Sequence, residues 1–296
     1  MPTLADVRNF ARYHLKRRPV DHPAQETELG VTRIGYDSDA FYASLEPFED
    51  RYAITTEESV SYRGVDYPLR LARRAARGVG RAARTLLVLA GVHGNEQAGL
   101  LAVPPILDAF AARHDLGHVE LAVLGPVNPV GAAHTSRYNG DGFDINRDFV
   151  RFETREARAV RRVFERLAPD FIVSLHEGPQ DATFLFANRW VDERVGRELL
   201  TALEDGGTTL AERDYFGRAL VPPGYAPSTP VARAVTTLWA KTLEMQATSS
   251  WAEDLGVPEI TIESSWRSAD RGARVRAHVD LVMATLAHLE RDAARR

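Results

Sequence analysis

A chain of 296 residues, 44% hydrophobic and 26% charged, is long enough for one large domain with a substantial core. Its net charge of −4 and pI near 6.2 give no overall attraction to nucleic acid or to an anionic membrane, so neither is expected as a partner. With no cysteine, disulfides, thiolate nucleophiles and Cys-rich metal sites are excluded, and any metal must be held by His and carboxylates.

In chain order, residues 3–16 have helical periodicity, and residues 1–57 are expected to form a segment packing on a main domain over 58–296. The opening MPTLADVRNFARYHLKRRP lacks the apolar run of roughly 7–15 residues that a leader peptide carries. No later apolar run is long enough to span a membrane. Together with the missing disulfides, this predicts a cytoplasmic protein. The Arg/Ala-rich LARRAARGVGRAAR at 71–84 reads as a solvated turn. Five strands follow: TLLVLAGV (85–92), VELAVLGPV (119–127), DFIVSLHE (170–177), TFLFAN (183–188) and EITIESS (259–265). Most are almost continuously apolar, as strands buried on both faces are.

Between the strands, 153–168 and 192–204 are helical in pattern, and 270–292 forms a long C-terminal helix. The helical pattern after Glu96 must break or kink at Pro104 and Pro105. Alternating strands and helices predict an α/β fold with a mixed, mostly parallel central sheet flanked by helices. In such a sheet, ligands gather beyond the carboxyl ends of the strands. His93, Asn128, His176 and Glu263 all lie at or just past those ends.

His93 and Glu96, three residues apart where a strand runs into a helix, can direct an imidazole and a carboxylate at one ion. Catalytic zinc takes ligands of these types and keeps an open position. The glycines at 91, 94 and 99 would let the backbone come close to whatever the loop holds. A third ligand is best supplied by His176, at the end of an apolar strand. His14, His22, His114, His118, His278 and His288 read as surface residues, and His134 is ambiguous. Glu177 is a rival ligand or base, but neighbours on a strand point opposite ways. The irregular loop from Asn128 to Phe149 contains Arg137, Asn146 and Arg147; the arginines offer planar donor forks suited to a carboxylate, and Asn146 adds a neutral donor. Asn139, Asp141 and Asp144 read as turn residues.

HGNE at 93–96, the NP…R…GxDxNRxF pattern of 128–149, LHE at 175–177 and TIE at 261–263 together resemble the zinc carboxypeptidases of the carboxypeptidase A type. They are most similar to the compact bacterial branch that includes murein-peptide amidases. The deacylase cousins, succinylglutamate desuccinylase and aspartoacylase, share the HxxE pair, the arginine loop and the later His. The resemblance covers about residues 60–290 and implies a zinc carboxypeptidase-like, phosphorylase/hydrolase-like fold. It implies one zinc ion on His93, Glu96 and His176, with Arg137 at the scissile carbonyl, Asn146 and Arg147 on the substrate's free carboxylate, and Glu263 as general base. The family's mobile tyrosine falls at Met245 here, and Tyr225 is the expected substitute. Asp148 stands where the peptidases commonly have Asn.

The implied function is zinc-dependent cleavage of an amide next to a free carboxylate, by a metallocarboxypeptidase or peptide amidase acting on small peptides. An N-acyl amino acid deacylase is the first alternative, and a non-catalytic zinc- or peptide-binding protein the second. The TIE strand and the terminal helix, where the deacylases continue into a β domain, favour the peptidase.

Overall fold

In the computed structural model, residues 31–78 and 83–295 are described; the helix expected over 3–16 lies outside them. Eight strands form one sheet in the order β1-β2-β4-β3-β5-β8-β6-β7. They are β1 (Ala53–Tyr62), β2 (Val65–Arg74), β3 (Arg84–Ala90), β4 (Val119–Gly125), β5 (Phe171–Gly178), β6 (Phe184–Ala187), β7 (Tyr225–Pro227) and β8 (Glu259–Ser265). The central strands β4, β3, β5 and β8 run parallel. The β1–β2 hairpin joins antiparallel on one side, and β6 joins β8 antiparallel on the other. The sheet is therefore mixed and mostly parallel, as the alternation of elements implies.

Because successive side chains leave a strand on opposite faces, β3 feeds two cores. Leu86, Val88 and Ala90 pack on one side with Ile106, Leu107 and Phe110 of the helix α3 (Val103–Ala112), Leu199 of α6 (Glu193–Asp205), and Leu281 and Val282 of α9 (Arg271–Arg295). Leu87 and Leu89 pack on the other side with Ala157, Val160 and Val163 of α5 (Arg155–Leu167) and Ala252 of α8 (Thr248–Asp254). Fully burying one such leucine contributes about 1.5–3 kcal/mol. The remaining helices are α1 (Ser38–Leu45), α2 (Gln97–Leu101), α4 (Pro129–Ala133) and α7 (Pro230–Leu243).

Helix α2 ends at Leu101 and α3 begins at Val103, with its prolines in the first turn, where no backbone donor is needed. That is the break expected from Pro104 and Pro105. The stretch 71–84 is not all turn: its start belongs to β2, with Leu71 and Ala72 each 2% exposed, and its last residue opens β3, while residues 79–82 lie outside the described residues. Phe41, Leu45, Phe48 and Tyr52 join the main core, and β1 runs across position 57. Among the described residues, no helix is long and apolar enough to cross a membrane.

Candidate metal centre and substrate site

The carboxyl ends of β3, β5 and β8 are adjacent in the sheet, and three sequence-predicted residues meet there. His93 follows β3, Glu96 immediately precedes α2, and His176 lies in β5; all three are buried. His93 Nδ1 is 2.6 Å from Glu96 Oε1, and His176 Nδ1 is 2.7 Å from Glu96 Oε2. One ligand atom from each residue falls within 4.8 Å of the others. Burial pushes Glu96 up, but the two imidazoles beside it outweigh this and hold its carboxyl far below the usual range. Two imidazoles and one buried carboxylate converging on one point are the donor set of a three-ligand catalytic zinc site.

The far side of His93 is also held. Its Nε2 is 3.0 Å from Asp144 Oδ1, so the ring is set by a carboxylate, as metal-ligating histidines commonly are. Arg137 donates from Nε (3.0 Å) and Nη2 (2.8 Å) to Asp144 Oδ2. Arg137 Nη1 remains 3.7 Å from Glu96 Oε1 and 3.4 Å from His93 Nδ1, beside the ligand cluster. Burial raises the Asp144 carboxyl, but the charges of Arg137 and His93 outweigh it and hold the group well below its ordinary value. The turn reading of Asp144 is correct as far as it goes, since Oδ1 also accepts from Asn146 N at 3.0 Å. What that reading missed is that the same carboxylate braces His93 and Arg137. A buried carboxylate between a histidine and an arginine is invisible to a local pattern, because His93 is 51 positions away.

The glycines of the HGNEQAG loop serve the protein's own backbone. A Cβ on Gly94 would lie 1.9 Å from Gly131 C and 2.1 Å from Ala132 N, so only glycine lets this loop rest on α4. A Cβ on Gly99 would lie 2.7 Å from Leu175 Cβ on β5. Asn128 caps α4 through Gly131 N (2.8 Å) and donates from Nδ2 to the Arg137 carbonyl (3.2 Å), which places it in the scaffold of the site. Asp148 is turned away to accept from Thr154 N and Oγ1 at the start of α5.

Glu263 is the register partner of His176 across β5 and β8 and is 8% exposed. Burial, then the negative charges of Glu96 and Glu177, push its carboxyl well above the ordinary range, while Arg137 opposes them. Glu177 points the other way, as strand alternation requires, and accepts from Arg274 Nε at 2.7 Å. Asn146 and Arg147 lie on a 3-10 turn over Ile145–Arg147. Burial lowers the Arg147 pKa and Asp144 partly restores it.

Two expectations need correction. Tyr225 does not face the site: it sits in the edge strand β7, 4% exposed, with its ring against Gly196 of α6. The charges acting on its hydroxyl are Glu193, Asp192 and Arg197, all from that helix region. Tyr215, in the loop between α6 and β7, packs beside the strand partner of Glu263 instead. Its ring packs 5.8 Å from Phe184 and 5.7 Å from Phe186, and Phe184 is the register partner of Glu263. The residue is 38% exposed. Burial raises the pKa of its hydroxyl, and the charges acting on it are Glu263, Arg147, Arg137 and Glu96. Nothing in the sequence around Tyr215 marks it, because a long-range ring cluster positions it. His278, read as a surface residue, is fully buried and lies 3.0 Å from Ser264 Oγ.

Over residues 82–204 the chain matches the succinylglutamate desuccinylase/aspartoacylase catalytic domain. It is 33% identical over 92 residues to carboxypeptidase 2 of Trichophyton tonsurans, covering 29% of this chain and 17% of that protein. The chain thus spans less than a fifth of the length of the curated relatives it matches. In three dimensions it is similar to a suspected metallopeptidase of Shewanella denitrificans, at 21% identity over 88% of this chain and 97% of the other, with a TM-score of 0.68. It is also similar to the metallo-carboxypeptidase of Burkholderia cenocepacia, at 14% identity over 87% of this chain and 70% of the other, with a TM-score of 0.65. At such identities the structural likeness speaks for the fold, which is carboxypeptidase-like. The family match and the curated carboxypeptidases agree with the motif resemblance to the carboxypeptidases and their succinylglutamate desuccinylase/aspartoacylase cousins.

Proposed function

We propose that this protein is a zinc-dependent hydrolase that cleaves an amide bond next to a free carboxylate on a small peptide, as a metallocarboxypeptidase or peptide amidase. The observation that carries this reading is the convergence of His93, Glu96 and His176 beneath Glu263 and Arg137 at neighbouring strand ends. Zinc held by the three ligands supplies Lewis acidity, which lowers the pKa of water and polarises a carbonyl.

The chain's own residues do the rest. Glu263 takes a proton from the attacking water and returns it to the leaving amine; a carboxyl shifted upward by burial is suited to both directions of transfer. Arg137, its other donors committed to Asp144, turns Nη1 toward the ligands, where it can hold the negative charge that develops on the carbonyl oxygen. Arg147 and Asn146 bind the substrate's carboxylate. Tyr215, not Tyr225, supplies a hydroxyl between that carboxylate and Glu263.

The second reading, an N-acyl amino acid deacylase, is favoured by the match over residues 82–204. Zinc-loaded protein assayed on peptides with a free C-terminal carboxylate, γ-glutamyl-diaminopimelate peptides and N-acyl amino acids separates the two. Release of amino acids from peptides is the expected result. Hydrolysis of the N-acyl amino acids alone reverses the order, and hydrolysis of none, with a full equivalent of zinc bound, points to a binding protein.

A further inference from the structure

Behind Asn146 lies a carboxyl group that the proposed chemistry does not use. Glu259 opens β8 and is fully buried. Its Oε1 accepts from Ser174 Oγ at 2.7 Å, from Thr248 Oγ1 at 3.2 Å and, more distantly, from Thr261 Oγ1 at 3.5 Å. Among the described residues no cation pairs with it, and its Oε2 has no partner. A carboxyl in such surroundings is costly, and an apolar side chain on the face it shares with Ile172 would avoid that cost. A polar group retained there is therefore expected to act on a neighbour.

That neighbour is Thr248, the first residue of α8, 2% exposed. Its backbone N–H donates to Asn146 Oδ1 at 3.0 Å, and its Oγ1 lies 3.4 Å from the same oxygen. A helical threonine divides between two side-chain rotamers, because its hydroxyl can turn to a backbone carbonyl. By accepting the Thr248 hydroxyl proton, Glu259 Oε1 fixes the rotamer of Thr248 and with it the start of α8. The backbone N–H held there commits the carbonyl end of the Asn146 amide to Thr248, which leaves the Nδ2 end to donate elsewhere.

We propose that Glu259, acting through Thr248, is a positioning residue that orients the Asn146 carboxamide so that Nδ2 faces the carboxylate of the substrate. This rests on the reading of Asn146 given above. Burial also pushes the Glu259 carboxyl up to about 7, consistent with an uncharged group working through hydroxyl contacts.

The test uses zinc-loaded full-length protein with Glu259→Met, Thr248→Val and Glu259→Gln, each first checked for one equivalent of zinc. Should Glu259→Met fail to fold, Thr248→Val carries the same arm. In crystal structures of the first two, the Asn146 amide is expected to leave its wild-type position, and Glu259→Gln is expected to retain it. On peptides with a free C-terminal carboxylate, KM is expected to rise about tenfold in the first two variants with kcat nearly unchanged. The same peptides with an amidated C-terminus show no such rise, and Glu259→Gln restores the wild-type KM. An Asn146 side chain unmoved in both variants overturns the proposal, as does a KM that rises equally for free and amidated peptides. A wild-type enzyme indifferent to the substrate's carboxylate overturns the proposed function instead, and the crystal structures then decide the Glu259–Thr248 pair alone.

Discussion

His176 and Glu263 are register partners on neighbouring parallel strands, so their side chains leave the sheet on the same face. Adjacent strands lie roughly 4.8 Å apart, which places the proposed base beside a proposed metal ligand without any loop having to close. Glu263→Gln is expected to bind zinc as the wild type does and to lose turnover by a factor of about 10²–10⁴. Zinc content by elemental analysis, alongside steady-state rates, checks this. Substantial residual turnover would move the base to another carboxylate, Glu177 first.

Asp144 links the metal side of the site to the arginine side, through His93 Nε2 and the two Arg137 donors. Asp144→Ala leaves Arg137, which is 7% exposed, without its main counter-charge. Removing one partner of a buried pair costs about 3–5 kcal/mol, and losing the carboxylate behind a metal-binding histidine costs about 10–100-fold in metal affinity. Denaturant titration and competition with a chelator measure the two separately. Wild-type zinc affinity in the variant would show that Asp144 does not set the His93 ring.

The proposal that Tyr215, not Tyr225, supplies the substrate-facing hydroxyl is easy to check. Tyr215→Phe keeps the ring packed on Phe184 and Phe186 and removes only the hydroxyl. It is expected to lower kcat/KM about tenfold or more while the protein stays folded. Tyr225→Phe should leave kcat/KM within about twofold, because that hydroxyl faces α6. The reverse pattern would return Tyr225 to the site.

Glu259 gives the protein a pH-dependent term in its stability. Burial raises its carboxyl from 4.5 to about 7, so the folded state binds this proton more tightly than the unfolded state does. The associated stability is fully present below about 4.5 and is lost as pH rises through about 7; its full size is about 3 kcal/mol. Glu259→Gln cannot ionise, so relative to wild type it should gain stability between pH 5.5 and 8.5. Glu156, also raised to about 7 by burial, titrates in both proteins and cancels in the difference. Denaturant titrations at both pH values test this, and an offset that does not change with pH would refute it.

The apolar runs that became β3, β4, β5 and β8 were legible as strands because strands buried on both faces need continuous apolar sequence. The β1–β2 hairpin was not, since most of β1 is exposed or half-exposed and its sequence AITTEESVSY is mainly polar. Helix α7 was also missed: none of its residues is buried, so no side of it had to be apolar.

By itself the sequence determined the α/β class and singled out His93, Glu96 and His176, with their neighbouring arginines, as one candidate site, because short motifs at strand ends carry their chemistry locally. The tertiary structure alone decided that Asp144 braces His93 and Arg137, that the loop glycines serve a backbone contact, that Tyr215 rather than Tyr225 lies near Glu263, and that Glu259 stands behind Asn146. Each of these depends on side chains far apart in the chain meeting at one buried point, where charge and hydrogen bonds act over a few ångströms of space and sequence distance has no bearing.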